Sequence, residues 1–125
     1  MKNSSDDNMR VDLKRSTCPI TNTLDLIGDR WTLLIVRDML LHNKHRYGEF
    51  LASDEGIPTN ILADRLKRLE ENGLIEKIPY QHNPVRYEYY LTDKGQDLEP
   101  LVREMVRWGL NHIPGTGPRP TTQGQ

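Results

Sequence analysis

Segment 58–72 concentrates side chains that hydrogen-bond or carry positive charge: Thr59, Asn60, Arg65, Lys67 and Arg68. An asparagine amide can pair with adenine through two hydrogen bonds, and lysine and arginine attract phosphate oxygens. Two more arginines and a histidine extend the set, Arg46 before this segment and His82 and Arg86 after it. The chemistry on offer is recognition, not bond making. His42, His45, His82 and His112 have no paired metal-ligand spacing with Cys18 or with carboxylates, and no HExxH occurs. No glycine-rich phosphate loop follows a strand, and nothing points to a nucleophile–base–acid set. Neither an enzyme nor a metal or other cofactor is expected.

The recognition groups need a scaffold, and the spacing of leucines supplies one. Leu62, Leu66, Leu69 and Gly73 recur at i, i+4, i+7 and i+11, one face of a helix. At about 100° per residue, Asn60, Asp64, Lys67 and Glu71 point the other way, with Ala63 and Arg68 on their flanks. Pro58 suits a first helical turn, and Thr59 competes for the N-cap. Asn72-Gly73 is a stop signal. The plain alternative is a solvated amphipathic helix with no ligand.

The elements that follow add specificity. Leu74 to Tyr80 is rich in β-branched and aromatic residues, 81–85 is turn chemistry around Asn83-Pro84, and Arg86 to Thr92 alternates two unlike faces. Thr92-Asp93 then caps a new helix. Helix, strand, turn, strand, helix is the order of a winged helix-turn-helix, a mainly α fold with a small β-hairpin, whose amphipathic helix fits a DNA major groove.

The remaining chain reads as a helical body. Pro19 starts a short helix, Ile20 to Ile27, ended by Gly28; Asp29 can cap a second, in which Trp31, Leu33, Leu34, Ile35, Val36, Met39 and Leu40 supply buried surface. A short helix from Arg46 to Ala52 turns Tyr47, Phe50 and Leu51 inward, and Ser53 to Gly56 forms the turn before the recognition segment. The last helix runs from Asp93 to about Ile113, with Pro100 kinking it or marking a restart. Residues 1–16 are expected to be a flexible arm, 17–113 the folded unit, and 114–125 a disordered tail rich in Pro, Gly and Thr.

Composition sets the bounds. With 125 residues, 35% hydrophobic and 28% charged, one soluble domain is expected. No apolar run approaches the roughly 18 residues of a membrane span, and the N-terminus lacks a signal-peptide core. A single cysteine excludes an intramolecular disulfide framework, so a cytoplasmic setting is expected. The formal charge of −1 runs against a strongly basic nucleic-acid binder. Distribution matters more: Arg65, Lys67 and Arg68 face only Asp64 within 59–68, while acids crowd at Glu49, Asp54, Glu55, Asp97, Glu99 and Glu104.

Several spaced motifs resemble the HxlR-type regulators, bacterial winged-helix proteins similar in shape to the MarR group. They are CPI from Cys18, LIGDRWTLLI from Leu26, RYGEF from Arg46, LADRLKRL from Leu62, NGLI from Asn72 and YYLTDKG from Tyr89. The resemblance runs from about residue 17 to residue 113. It implies a homodimer, formed by the N- and C-terminal helices, on a pseudo-palindromic double-stranded DNA operator. Where many relatives carry a serine cap on the recognition helix, this chain has Pro58-Thr59.

The expected roles follow residue by residue. Thr59 and Asn60 meet base edges or phosphates, and Lys67 a base or a phosphate. Arg65, near the buried edge of its helix, either holds a phosphate or closes an internal salt bridge. Wing residues His82 and Arg86 reach the minor groove or backbone, with Arg46 a further phosphate contact. Two recognition helices on a two-fold axis read half-sites about 34 Å apart. The last helix carries more apolar surface than one stripe, for its own body and a partner; alternatively it closes a monomer core. Some HxlR-type proteins sense oxidants or electrophiles through a cysteine at the place of Cys18, so an oxidant or small-molecule effector is a further expectation. A thiol at a helix start feels the positive dipole end; the alternative is a small buried residue. A winged-helix module that binds protein without DNA specificity is the competing function.

Overall fold

The computed structural model describes residues 16–117, so the expectations for residues 1–15 and 118–125 lie outside the described residues. Helix α1 (Pro19–Ile27) starts on a proline, whose missing N–H has no helical partner to lose. Only Ile27 of α1 is buried. Gly28 ends it: a Cβ here would stand 2.5 Å from the Leu24 carbonyl oxygen, so no larger residue fits. Asp29 then caps α2 (Arg30–Leu41), its Oδ2 accepting from the Thr32 N–H at 3.0 Å, as the sequence predicts. Ile35, Val36 and Met39 of α2 form the centre of the core.

Helix α3 (Tyr47–Leu51) is one turn longer than a bend, stabilised at its start by Glu49, whose carboxylate accepts from the backbone N–H groups of His45 and Arg46. An ion pair and a hydrogen bond bolt the following turn to α2. Arg37 grips Glu55 through two nitrogens, at 2.7 and 3.0 Å. Asp38, 2% exposed, accepts from Arg37 and from the Ser53 hydroxyl, so its buried charge is fully partnered.

Helix α4 (Thr59–Glu71) buries Leu62, Leu66 and Leu69, the face its periodicity predicts. Its bounds differ from the expected 58–72. Pro58 lies outside the helix as an N-cap, because its ψ of 147° (φ −65°) is extended; its carbonyl accepts the first helical bond, from the Leu62 N–H, and its side chain has no atom that could accept from the helix start. Gly73, at φ +75°, closes the helix in a conformation that glycine adopts freely.

Strands β1 (Ile75–His82) and β2 (Val85–Leu91) pair antiparallel from Ile75↔Leu91 to His82↔Val85. The turn is shorter than the expected 81–85: ladder pairing reaches both ends, leaving only Asn83-Pro84, a cis peptide, between the strands. The register shifts between Pro79 and Gln81, leaving Tyr80 without a partner across the hairpin. On β2, Tyr89 and Leu91 pack on the core, with Tyr89 edge-on to Phe50. Its other edge meets the chain before α3, where the Tyr89 N–H donates to the His45 carbonyl at 2.7 Å.

The last expected helix is two. Thr92 caps α5 (Asp93–Gln96), and α6 (Glu99–His112) restarts with Pro100 in its first turn. Val102 is buried, whereas Leu101, Met105, Val106, Trp108 and Ile113 are exposed. Closure of a monomer core therefore does not account for this helix. No helix among the described residues is long and apolar enough to cross a membrane.

Candidate nucleic-acid interface

Three buried leucines under α4 force its other face outward. Thr59, Asn60, Ala63, Lys67 and Arg68 are all exposed there. Lys67 makes no ion pair with any described residue, and Arg68 only a loose one, 3.9 Å from Asp64. The helix start has no side-chain cap, so its first N–H groups take no partner from the N-cap residue.

Arg65 is placed differently. Its side chain is 17% exposed; Nε donates to Asp29 Oδ2 at 2.8 Å, Nη2 to Asp29 Oδ1 at 3.2 Å, and Nη1 to Asp64. Of the two expected roles, the internal salt bridge is the one the geometry presents. The Arg65 hydrogen bonds, with help from the Thr32 N–H, hold the Asp29 carboxyl down at about 2. The sequence did not reveal this partner, which lies 36 positions away.

The first turn of α3 joins the recognition helix to the hairpin. The Tyr47 hydroxyl donates to the Thr59 carbonyl at 2.8 Å, so Tyr47, expected only to point inward, also holds the start of α4. Next to it, Arg46 donates to Glu88 of β2 at 3.0 Å and lies over the Tyr80 ring, 3.8 Å from its centroid. Arg46 remains half exposed despite these contacts. The Tyr90 hydroxyl and then Arg46 lower the Glu88 pKa, so the pair stays charged. Sequence neighbours Arg46 and Tyr47 thus bring the start of α4 and the base of the wing to one edge.

At the wing tip, His82 and Arg86 are exposed, in register with Val85 and Gln81 respectively. Arg86 has no acidic partner among the described residues.

Cys18 sits at the N-cap of α1, half buried. Hydrogen bonds from the Thr21 backbone, the Thr21 side chain and the Ile20 backbone lower its thiol pKa. Beside it, α1 and α6 leave an almost wholly apolar groove of about 360 Å³, lined by Ile20, Leu24, Leu33, Leu101 and Met105 among others. Among the described residues no group of three or more His, Cys, Asp or Glu is placed to hold a metal ion.

Known proteins are similar to this chain in sequence and in fold. Residues 26–116 match the HxlR-like helix-turn-helix family. An uncharacterized HTH-type transcriptional regulator of Mycobacterium tuberculosis, Rv3095, is 40% identical over 95 residues, covering 76% of this chain and 59% of the relative. The match thus spans less than two thirds of that relative's length. The redox regulator HypR in its reduced form is similar in structure, with a TM-score of 0.68 at 33% identity, over 75% of this chain and 92% of that one. The transcriptional regulator YodB from B. subtilis, in its reduced form, has a TM-score of 0.63 at 31% identity, over 82% of this chain and all of that one. Fold, motif order and sequence agree with the resemblance read from residues 17–113: the chain belongs to the HxlR-like helix-turn-helix family of transcriptional regulators.

Proposed function

We propose that the chain binds a pseudo-palindromic operator as a homodimer, with α4 in the major groove and the wing on the minor groove or backbone. One observation carries this reading: a polar, basic face of α4 stands free of the protein's own bulk above leucines that are 0–3% exposed. Thr59 and Asn60 meet base edges, Ala63 lies against the groove, and Lys67 and Arg68 reach bases or phosphates. Arg46, His82 and Arg86 hold the flanking backbone or minor groove. Arg65 is left out of this contact set, because Asp29 and Asp64 occupy its donors.

Dimerisation is supported by the apolar surface that one subunit leaves uncovered. Ile20 and Leu24 on α1 are 70% and 56% exposed, and Trp108 and Ile113 at the end of α6 are more than half exposed. Such a patch marks an interface in a protein of this size. One recognition helix contacts too few base pairs for high specificity, whereas two on a symmetry axis read half-sites about 34 Å apart. Selection of bound duplexes from a random pool tests the reading. A recovered inverted repeat supports it; binding of scrambled DNA with equal affinity at moderate salt overturns it in favour of a protein-binding module. A cytoplasmic setting belongs to the same proposal.

A response to oxidants or electrophiles through Cys18 is a second reading, favoured by the lowered thiol pKa beside the proposed dimer helices. HypR, whose redox role its name states, is a structural neighbour solved in reduced and oxidized forms. With one cysteine per chain, a disulfide would join two subunits or a small thiol. Operator binding measured before and after diamide tests it, with Cys18→Ser as control. A response that survives the substitution removes Cys18 from the mechanism.

A further inference from the structure

Helices α1 and α2 are joined through Gly28 and Asp29 alone. The Gly28 N–H still donates to the Leu24 carbonyl, at 2.7 Å, and no side chain fits on Gly28. This junction has little freedom to flex. The next residue, Asp29, does two things with one carboxylate. Oδ2 caps α2 through the Thr32 N–H and hydroxyl, at 3.0 and 3.2 Å. Both oxygens also take the guanidinium of Arg65, midway along α4.

Leucine packing decides which face of α4 is buried, but it sets smaller changes of rotation and tilt only loosely, because apolar contact is non-directional. A two-point arginine–carboxylate contact is directional and planar. We propose that Asp29 is a positioning residue for DNA binding: through Arg65 it locks the rotation and tilt of α4 to the end of α1, and so sets the separation of the two recognition helices in the dimer. The inference rests on the operator-binding reading above. It assigns Arg65 to geometry instead of to a phosphate, and makes α1 the reference from which half-site spacing is measured.

Two variants of the full chain approach the pair from opposite sides. Asp29→Asn keeps an oxygen for the Thr32 N–H, so α2 stays capped. Arg65→Gln leaves the cap untouched. Each is titrated, as the dimer, against the selected operator and against duplexes with the half-site separation lengthened or shortened by one base pair. Thermal melts and sedimentation accompany the titrations, and binding is repeated across a salt series.

The wild type is expected to prefer the selected spacing by about tenfold or more, the size of one mismatched base pair. Both variants are expected to stay dimeric and to bind the selected spacing, with the preference cut to about threefold or less and the salt slope unchanged. The double variant should lose no more than either single one. Retention of the full spacing preference in either single variant overturns the inference and leaves operator binding standing. A salt slope reduced by about 0.9 per subunit in Arg65→Gln alone, the mark of a lost phosphate contact, also overturns it. A wild type with no preferred duplex overturns the operator reading and this inference together.

Discussion

Replacing Lys67 by alanine separates a groove-reading α4 from a merely solvated one. The side chain is exposed and makes no ion pair with a described residue, so its removal should change folding stability by no more than about 0.5 kcal/mol. The effect on DNA should be large. Each phosphate neutralised contributes about 0.9 to the slope of log affinity against log salt. In a dimer the substitution removes two contacts, so the slope should fall by about 1.8. Referred to 1 M salt, one such contact is worth about eightfold at 0.1 M, and two are worth about 60-fold. Fluorescence anisotropy on the selected operator, at four salt concentrations, reads both quantities. Should Lys67 meet a base instead, the slope holds and selectivity is lost at one position of each half-site, by about 1–3 kcal/mol. Arg68 provides the internal comparison, since Asp64 lies 3.9 Å from it and already competes for its charge. Affinity unchanged within twofold at every salt concentration would refute the assignment of this face to DNA.

Further expectations concern the scaffold. Leu62→Ala empties a site that is 0% exposed and should cost about 3 kcal/mol, lowering the melting temperature by about 12 °C or more; a loss under about 1 kcal/mol would show that α4 is not anchored there. The carboxyls of Asp29 and Glu55 are both held at about 2, by Arg65 and Arg37, against ordinary values of 3.8 and 4.5. Because both are depressed, their contribution is present above pH 4.5 and lost as pH falls towards 2. Melting temperatures followed from pH 7 to pH 2.5 should drop less steeply in Asp29→Asn than in the wild type, and parallel curves would contradict the linkage. Leu24→Asp places a charge on the apolar groove between α1 and α6 and should yield folded monomers with weakened operator binding. Sedimentation velocity decides that case, a dimer of unchanged affinity counting against the interface.

What the sequence disclosed was largely periodic or local. The leucine row of α4, the Asp29 and Thr92 caps, and the two unlike faces of 86–92 all depend on residues within a few positions of one another. The exposed state of Asn60 and Lys67 followed from the same geometry. What stayed hidden was pairing across the fold: Arg65 with Asp29, Arg46 with Glu88 some 42 positions on, and Tyr47 with the carbonyl of Thr59. Any of several acids could have matched either arginine by type, and only the packing of α2 on α4 and of β2 beside residue 46 selects one. Boundaries shifted for related reasons. Pro58 falls outside α4 because its backbone is extended at ψ 147°, and the hairpin turn shrank because cross-strand bonding extends the ladder as far as it can reach.

The hairpin also bears on how the protein behaves at high concentration. β2 is bonded to β1 along its length and, near Glu88 and Tyr89, to the backbone at His45 and Arg46, so among the described residues the outer margin of β1 is the longer edge left open to another strand. That margin carries Pro79, which has no donor to offer, and the register breaks just beyond it. Lys77 and Glu76 add charge along the same strand. A long, regular margin would template edge-to-edge stacking between copies and, in time, fibrous aggregates. Proline, charge and irregular register blunt that route, so the wing can stay open to a ligand without recruiting its own kind.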